Sequence, residues 1–107
     1  METNVTIYNK LVRDRFPEII QADGGVPKTR ILDEIEYQEE LMKNLQEEIA
    51  EFLNDSNTEE LADVMEVVFA LAETLDCTPV QLEGIRAEKA QKRGGFLDRI
   101  FLEQVEK

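Results

Sequence analysis

The feature that most restricts the fold is a pair of long segments with helical apolar spacing, separated only by the polar stretch Asn54-Asp55-Ser56-Asn57. In residues 33–53 the apolar positions are Ile35, Leu41, Met42, Leu45, Ile49, Phe52 and Leu53. Their spacings of three, four and seven place them along one side of a helix. In residues 59–75, Leu61, Val64, Met65, Val67, Val68, Phe69, Leu71, Ala72 and Leu75 surround most of the circumference. A helix of that kind sits inside a bundle. Asn, Asp and Ser bond their own backbone and favour a turn between the two segments. Thr58 then caps the second helix, and Glu59 and Glu60 suit its positive start. A short turn makes the two helices antiparallel neighbours. The expectation is one all-α domain over residues 1–107, a helical bundle built on an antiparallel helix hairpin.

The flanking segments add two shorter helices. Residues 5–13 read as an extended lead-in, Asp14 caps a short helix to Ala22, and Gly and Pro punctuate a loop over residues 23–27. Thr78 and Pro79 open a further helix as cap and first residue, which runs to Arg93 and stops at Gly94-Gly95. In residues 96–107, Leu97, Phe101 and Val105 fit a helix while Asp98, Ile100 and Leu102 fit strand alternation. A chain of 107 residues hides only about 60–70% of its unfolded surface, so a homodimer or homotetramer is expected to complete the core.

Residue content narrows the chemistry. There is no His, which removes His-based acid–base catalysis, Ser/His and Cys/His pairs and most zinc sites. Cys77 stands alone, so no internal disulfide forms. No apolar run approaches the ~20 residues of a membrane span, and Met-Glu-Thr-Asn-Val lacks a signal-peptide pattern; the expected compartment is the cytoplasm, with no membrane partner. The net charge of −12 is concentrated in residues 33–66, which hold thirteen acids against the single base Lys43. That asymmetry disfavours a nucleic-acid polymer as partner, since phosphate backbones want a basic face. It leaves a solvated acidic helix pair or a cation site.

Two pairs of acids favour the cation site. Glu48 and Glu51, within Glu47-Glu48-x-x-Glu51, and Glu60 and Asp63 lie three apart on their helices and are neighbours on a helix face. Taking Leu45 as the middle of the first apolar stripe, Glu48 falls about 60° and Glu51 about 120° to one side. Taking Val68 as the middle of the second, Glu60 falls about 80° and Asp63 about 140° in the same sense. In an antiparallel pair, flanks of the same sense end on the same face. Glu51 and Glu60 lie near the turn, and Glu48 and Asp63 one helical turn further away. Four converging carboxylates repel unless a hard cation compensates, and Mg²⁺ (or Mn²⁺) accepts such oxygens with water and phosphates completing its shell.

Arg86, Lys89 and Arg93 form a basic stripe on the last helix. It suits either phosphate binding, with Arg93 gripping bidentately, or ion pairing to Glu83 and Glu88. Lys10 and Arg13 in the lead-in carry the same two readings.

Glu47-Glu48-x-x-Glu51 followed by Glu60-x-x-Asp63 resembles the EExxE…ExxD signature of the all-α nucleoside triphosphate pyrophosphohydrolases, which include the MazG-like proteins, phosphoribosyl-ATP pyrophosphohydrolase and the dimeric dUTPases. Residues 8–20, Tyr-Asn-Lys-Leu-Val-Arg-Asp-Arg-Phe-Pro-Glu-Ile-Ile, look like the opening of a phosphoribosyl-ATP pyrophosphohydrolase-like branch, and Arg93-Gly94-Gly95-Phe96 like its closing motif. The resemblance spans almost the whole chain. It implies a dimeric or tetrameric bundle, metal ligation by Glu48, Glu51, Glu60 and Asp63, and phosphate contacts from the element containing Lys89 and Arg93.

The reaction expected on that basis is Mg²⁺-dependent hydrolysis of a nucleoside triphosphate, or a relative such as phosphoribosyl-ATP, between its α- and β-phosphates. Glu48 or Glu47 would take the proton of the attacking water, and Lys89 and Arg93 would hold the leaving phosphates. Two alternatives stay open: a non-catalytic interaction module docking through the apolar second helix, and a phosphohydrolase releasing orthophosphate.

Overall fold

The structure is a computed structural model that describes residues 4–107; the start of the N-terminal reading, residues 1–3, lies outside it. Among the described residues there are four helices and no strand: α1 (Phe16–Ala22), α2 (Glu34–Asp55), α3 (Thr58–Thr74) and α4 (Pro79–Arg93). None is long and apolar enough to cross a membrane.

Each helix end has a local cause. α1 starts on Phe16 and Pro17, with Arg15 rather than Asp14 in the capping position and no side-chain cap bond. The fixed φ of proline is enough to start that first turn. α1 ends where Gly25 donates to the Ile20 carbonyl at 2.9 Å. A Cβ on Gly25 would stand 2.6 Å from Ile20 Cγ2, so the chain can turn back this closely only with glycine there. Asp33 caps α2 by accepting from the Glu36 N–H at 2.9 Å. α2 runs two residues past Leu53, to Asp55, and Ser56 closes it in the left-handed region at φ 50°.

The link between the long helices is therefore shorter than the four-residue polar stretch suggests. Asn57, not Thr58, caps α3, its Oδ1 accepting from the Glu60 N–H at 2.9 Å. Asn is among the strongest capping residues, and it stands one position earlier, so Thr58 becomes the first helical residue. α4 carries a full capping box, Thr78 and Gln81 each bonding the other's backbone. It stops at Gly94, φ 81°. Residues 96–107 form neither the helix nor the strand that their pattern allowed.

α2 and α3 pack along each other, and α4 touches α3 more sparingly. Little is enclosed: Leu41 is 4% exposed and Ala72 6%, and no other described apolar side chain is fully buried. Ile35, Met42, Ile49 and Leu53 form an exposed stripe on α2, about 40–80° from Leu45 on the side away from Glu48 and Glu51. Leu61 and Met65 of α3 and Leu75 just past its end, expected inside, are exposed as well, and Phe96 in the tail is 96% exposed. The accessible surface is 10361 Å², against about 6,100 Å² for a compact monomer of this mass. The radius of gyration is 19.2 Å, against about 13 Å for a compact domain of this length. One chain alone leaves many large apolar side chains in water.

Candidate metal centre

α2 and α3 bring one flank of each helix together near their junction. Glu48 comes from α2, Glu60 from the first turn of α3 and Asp63 from one turn further on. Each places a carboxylate oxygen within 4.8 Å of the other two. The Asn57 cap fixes the backbone at Glu60, which sets the direction in which that side chain leaves the helix. Glu48, Glu60 and Asp63 are half-buried; Glu51 is more exposed and not one of these three, but its carboxyl lies against those of Glu48 and Glu60.

Two oxygens carry the argument. Glu48 Oε2 and Glu60 Oε2 are buried with no hydrogen-bond partner. Such groups are almost always satisfied in folded proteins, and a buried carboxylate oxygen left alone is costly. Burial raises the Glu48 carboxyl above its usual range, followed by the negative charge of Glu51, a carboxyl–carboxyl contact with Glu51, and the charges of Asp63 and Glu60. Burial raises Glu60 as well, with the charges of Glu51, Asp55 and Asp63 next. Glu51 thus acts on both buried acids from the rim. The donor set consists of carboxylate oxygens without nitrogen or sulfur, the kind that suits hard cations such as Mg²⁺, Mn²⁺ and Ca²⁺.

The basic residues are arranged less simply. Arg13 Nη2 donates to Asp63 Oδ1 at 2.7 Å, so one of the four signature acids has a basic partner that sequence spacing did not reveal. Lys10 Nζ stands 3.8 Å from Glu47 Oε2. For both lead-in bases the ion-pairing reading is the one present. It also engages Glu47, the alternative general base, leaving Glu48 as the candidate inside the group. Asn44 Nδ2 donates to the Leu11 carbonyl at 3.4 Å, a long bond that completes the attachment of the lead-in to α2. Asn44 was not a candidate in the sequence; its one signal was a weak helix former beside the apolar stripe.

On α4, Arg86 pairs with Glu83, its Nε donating at 2.8 Å, and Lys92 rather than Lys89 takes Glu88, at 2.9 Å. Lys89 and Arg93 make no ion pair among the described residues. They line a shallow groove with Ile85, Glu88 and Lys92. Among the described residues no ion pair joins Lys89 or Arg93 to Glu48, Glu60 or Asp63.

The raised carboxyls give a pH prediction. A carboxyl whose folded value lies above its unfolded value contributes stability at pH below the unfolded value, and this is lost as pH rises through the folded one. The metal-free protein should therefore lose stability as pH rises from about 4.5, the ordinary value for these groups. A cation that binds the ionised form stabilises only where that form exists. Mg²⁺ should accordingly raise the melting temperature little near pH 4.5 and by several degrees near neutrality. Calorimetry across pH checks this; an Mg²⁺ effect independent of pH would contradict it.

No family model matches the chain, and no solved structure matches it. A protein of Mycolicibacterium smegmatis described as uncharacterized is 50% identical over 42 residues, which is 39% of this chain and 43% of that protein. The chain thus matches less than half the length of this relative, whose description specifies no activity.

Proposed function

We propose that the chain is a Mg²⁺-dependent nucleotide pyrophosphohydrolase that cleaves a nucleoside triphosphate, or a closely related nucleotide, between the α- and β-phosphates. The observation that carries this reading is the pair of buried, partnerless oxygens of Glu48 and Glu60 beside Asp63. A hard cation meets their need for charge and for a ligand. Glu48, Glu60 and Asp63 would hold it, with Glu51 joining from the rim. When bound, Mg²⁺ lowers the pKa of a coordinated water and polarises phosphate oxygens.

The chain's own residues supply the rest. Glu48, inside the group, or Glu47 beside it would take the proton of the attacking water. Lys89 and Arg93 on α4 are candidate grips for the leaving phosphates. Lys10 and Arg13 stand beside the acids on the lead-in and are the nearer candidates for phosphate contact. The cluster lies at the surface of α2 and α3, which suits a substrate that brings its own phosphate oxygens.

A second copy completes the active unit in this account. The α2–α3 hairpin would pair through the Ile35, Met42, Ile49 and Leu53 stripe. The surface in excess of a compact monomer is roughly 4,000 Å² per chain, more than the ~1,000–2,500 Å² that each partner gives to a typical permanent interface. The stripe and the acids occupy opposite flanks of α2, so pairing leaves the cluster open to substrate.

The test is a panel of nucleoside triphosphates with Mg²⁺ or Mn²⁺ and with chelator, followed by product analysis. The expected result is a nucleoside monophosphate and pyrophosphate for at least one substrate, abolished by chelation. Orthophosphate would mean removal of a single phosphate. No product from any nucleotide would favour the interaction-module reading.

A further inference from the structure

We propose that residues 5–13 are a cation-responsive strap: Arg13 holds Asp63 while no cation is bound, and a divalent cation among Glu48, Glu60 and Asp63 displaces it. The proposal rests on the metal-centre reading above and adds its regulation. Three contacts fasten this segment to the long helices. Arg13 grips Asp63 Oδ1 at 2.7 Å, Lys10 stands 3.8 Å from Glu47, and the Leu11 carbonyl accepts from Asn44 at 3.4 Å. The last two are at or near the limit of useful range. No backbone N–H of residues 4–12 donates to another backbone carbonyl, so the segment has no secondary structure of its own to hold it. Of these polar contacts only the Arg13–Asp63 pair is at short range.

That pair occupies a carboxylate of the proposed cation site. A guanidinium offers one positive charge spread over a plane, and it reaches Asp63 without satisfying Glu48 Oε2 or Glu60 Oε2. A divalent cation offers twice the charge to all three acids and repels the guanidinium. With its partner taken, Arg13 leaves, and the two long contacts alone do not fix residues 5–13. Arg13 is thus a competitor for the site in the metal-free state, and cation binding frees two basic side chains at the rim where substrate phosphates arrive.

The test uses Mg²⁺ alone, with the full chain and its Arg13→Gln variant. Calorimetric titration gives affinity, and backbone ¹⁵N relaxation reports motion across residues 8–13. Arg13→Gln should bind Mg²⁺ about two- to fivefold more tightly, the range set by loss of an exposed ion pair. In the wild-type protein, order parameters over residues 8–13 should fall on Mg²⁺ addition toward the flexible range below about 0.6. In the variant they should be low without metal and unchanged by it. Mg²⁺ binding with unchanged or rising order in the wild-type segment would overturn the strap and leave the metal centre standing. Affinity unchanged or weakened in Arg13→Gln would do the same. Absence of Mg²⁺ binding in both proteins would overturn the strap together with the metal centre.

Discussion

Glu60→Gln is expected to lower Mg²⁺-dependent hydrolysis at least ~100-fold, because even residues that only orient a metal ligand are worth ~10–100-fold. The same substitution should leave the metal-free fold intact, and near neutral pH should raise its melting temperature. Two physical effects act in opposite directions at this residue. As a ligand, Glu60 supplies a negative oxygen that glutamine replaces with a neutral one, a weaker donor to a hard cation. As part of the metal-free protein, Glu60 carries a buried oxygen without a partner, amid the charges of Glu51, Asp55 and Asp63. Glutamine keeps the shape and removes that repulsion. A residue conserving only the fold would lose stability on mutation; a residue strained for function gains it. Product assays and thermal melts on the same sample check both halves, and a fall in metal-free stability with activity retained would contradict the assignment.

Met42→Lys should have the second large effect. Met42 is 58% exposed on the single chain and lies between Ile35 and Ile49, seven residues from each, on the outer stripe of α2. On an isolated chain this substitution would change stability by a few tenths of a kcal/mol, as surface changes do. Inside a two-copy interface it removes an apolar side chain worth ~1.5–3 kcal/mol and buries a charge on each side. The expected result is a shift from a particle of at least twice the 12.3 kDa chain mass to the single chain, with a melting temperature lower by roughly 10 °C or more. Light scattering coupled to size exclusion reads the first and calorimetry at matched concentration the second. A wild-type protein already at the single-chain mass, or an unaltered assembly in the variant, would refute the paired-copy account.

What the sequence made legible follows from how local each signal is. The long helices are written in apolar spacing, and their placement is within two residues at each end. The chain linker was misjudged because Asn57 and Thr58 are both capping residues and propensity alone does not say which acts; the Asn57–Glu60 bond decides it. The meeting of Glu48, Glu60 and Asp63 was also readable, because flank and height are set by helical geometry once two helices pack. Glu51 shows the limit of that argument. A wheel gives the direction in which a side chain leaves the helix, but not its rotamer or how far it leans, and Glu51 stays at the exposed rim.

The Arg13–Asp63 pair was not legible at all. It joins residues 50 positions apart, and one of them lies in a segment with no periodicity to register it against the helices. Residues 96–107 failed for another reason. Phe96, Leu97, Ile100, Phe101 and Leu102 are all exposed, so their conformation is not decided by contacts within one chain. The inside-facing reading of Leu61, Met65 and Leu75 is subject to the same condition.

The central claim is that the acids of α2 and α3 form one cation site, and Mn²⁺ binding followed by electron paramagnetic resonance addresses it most directly. Protein stripped with chelator should show saturable Mn²⁺ binding that Mg²⁺ competes away, and Glu48→Gln and Glu60→Gln should each lose it while remaining folded. Free Mn²⁺ signal undiminished by the wild-type protein, or equal uptake by the wild type and both variants, would contradict the account.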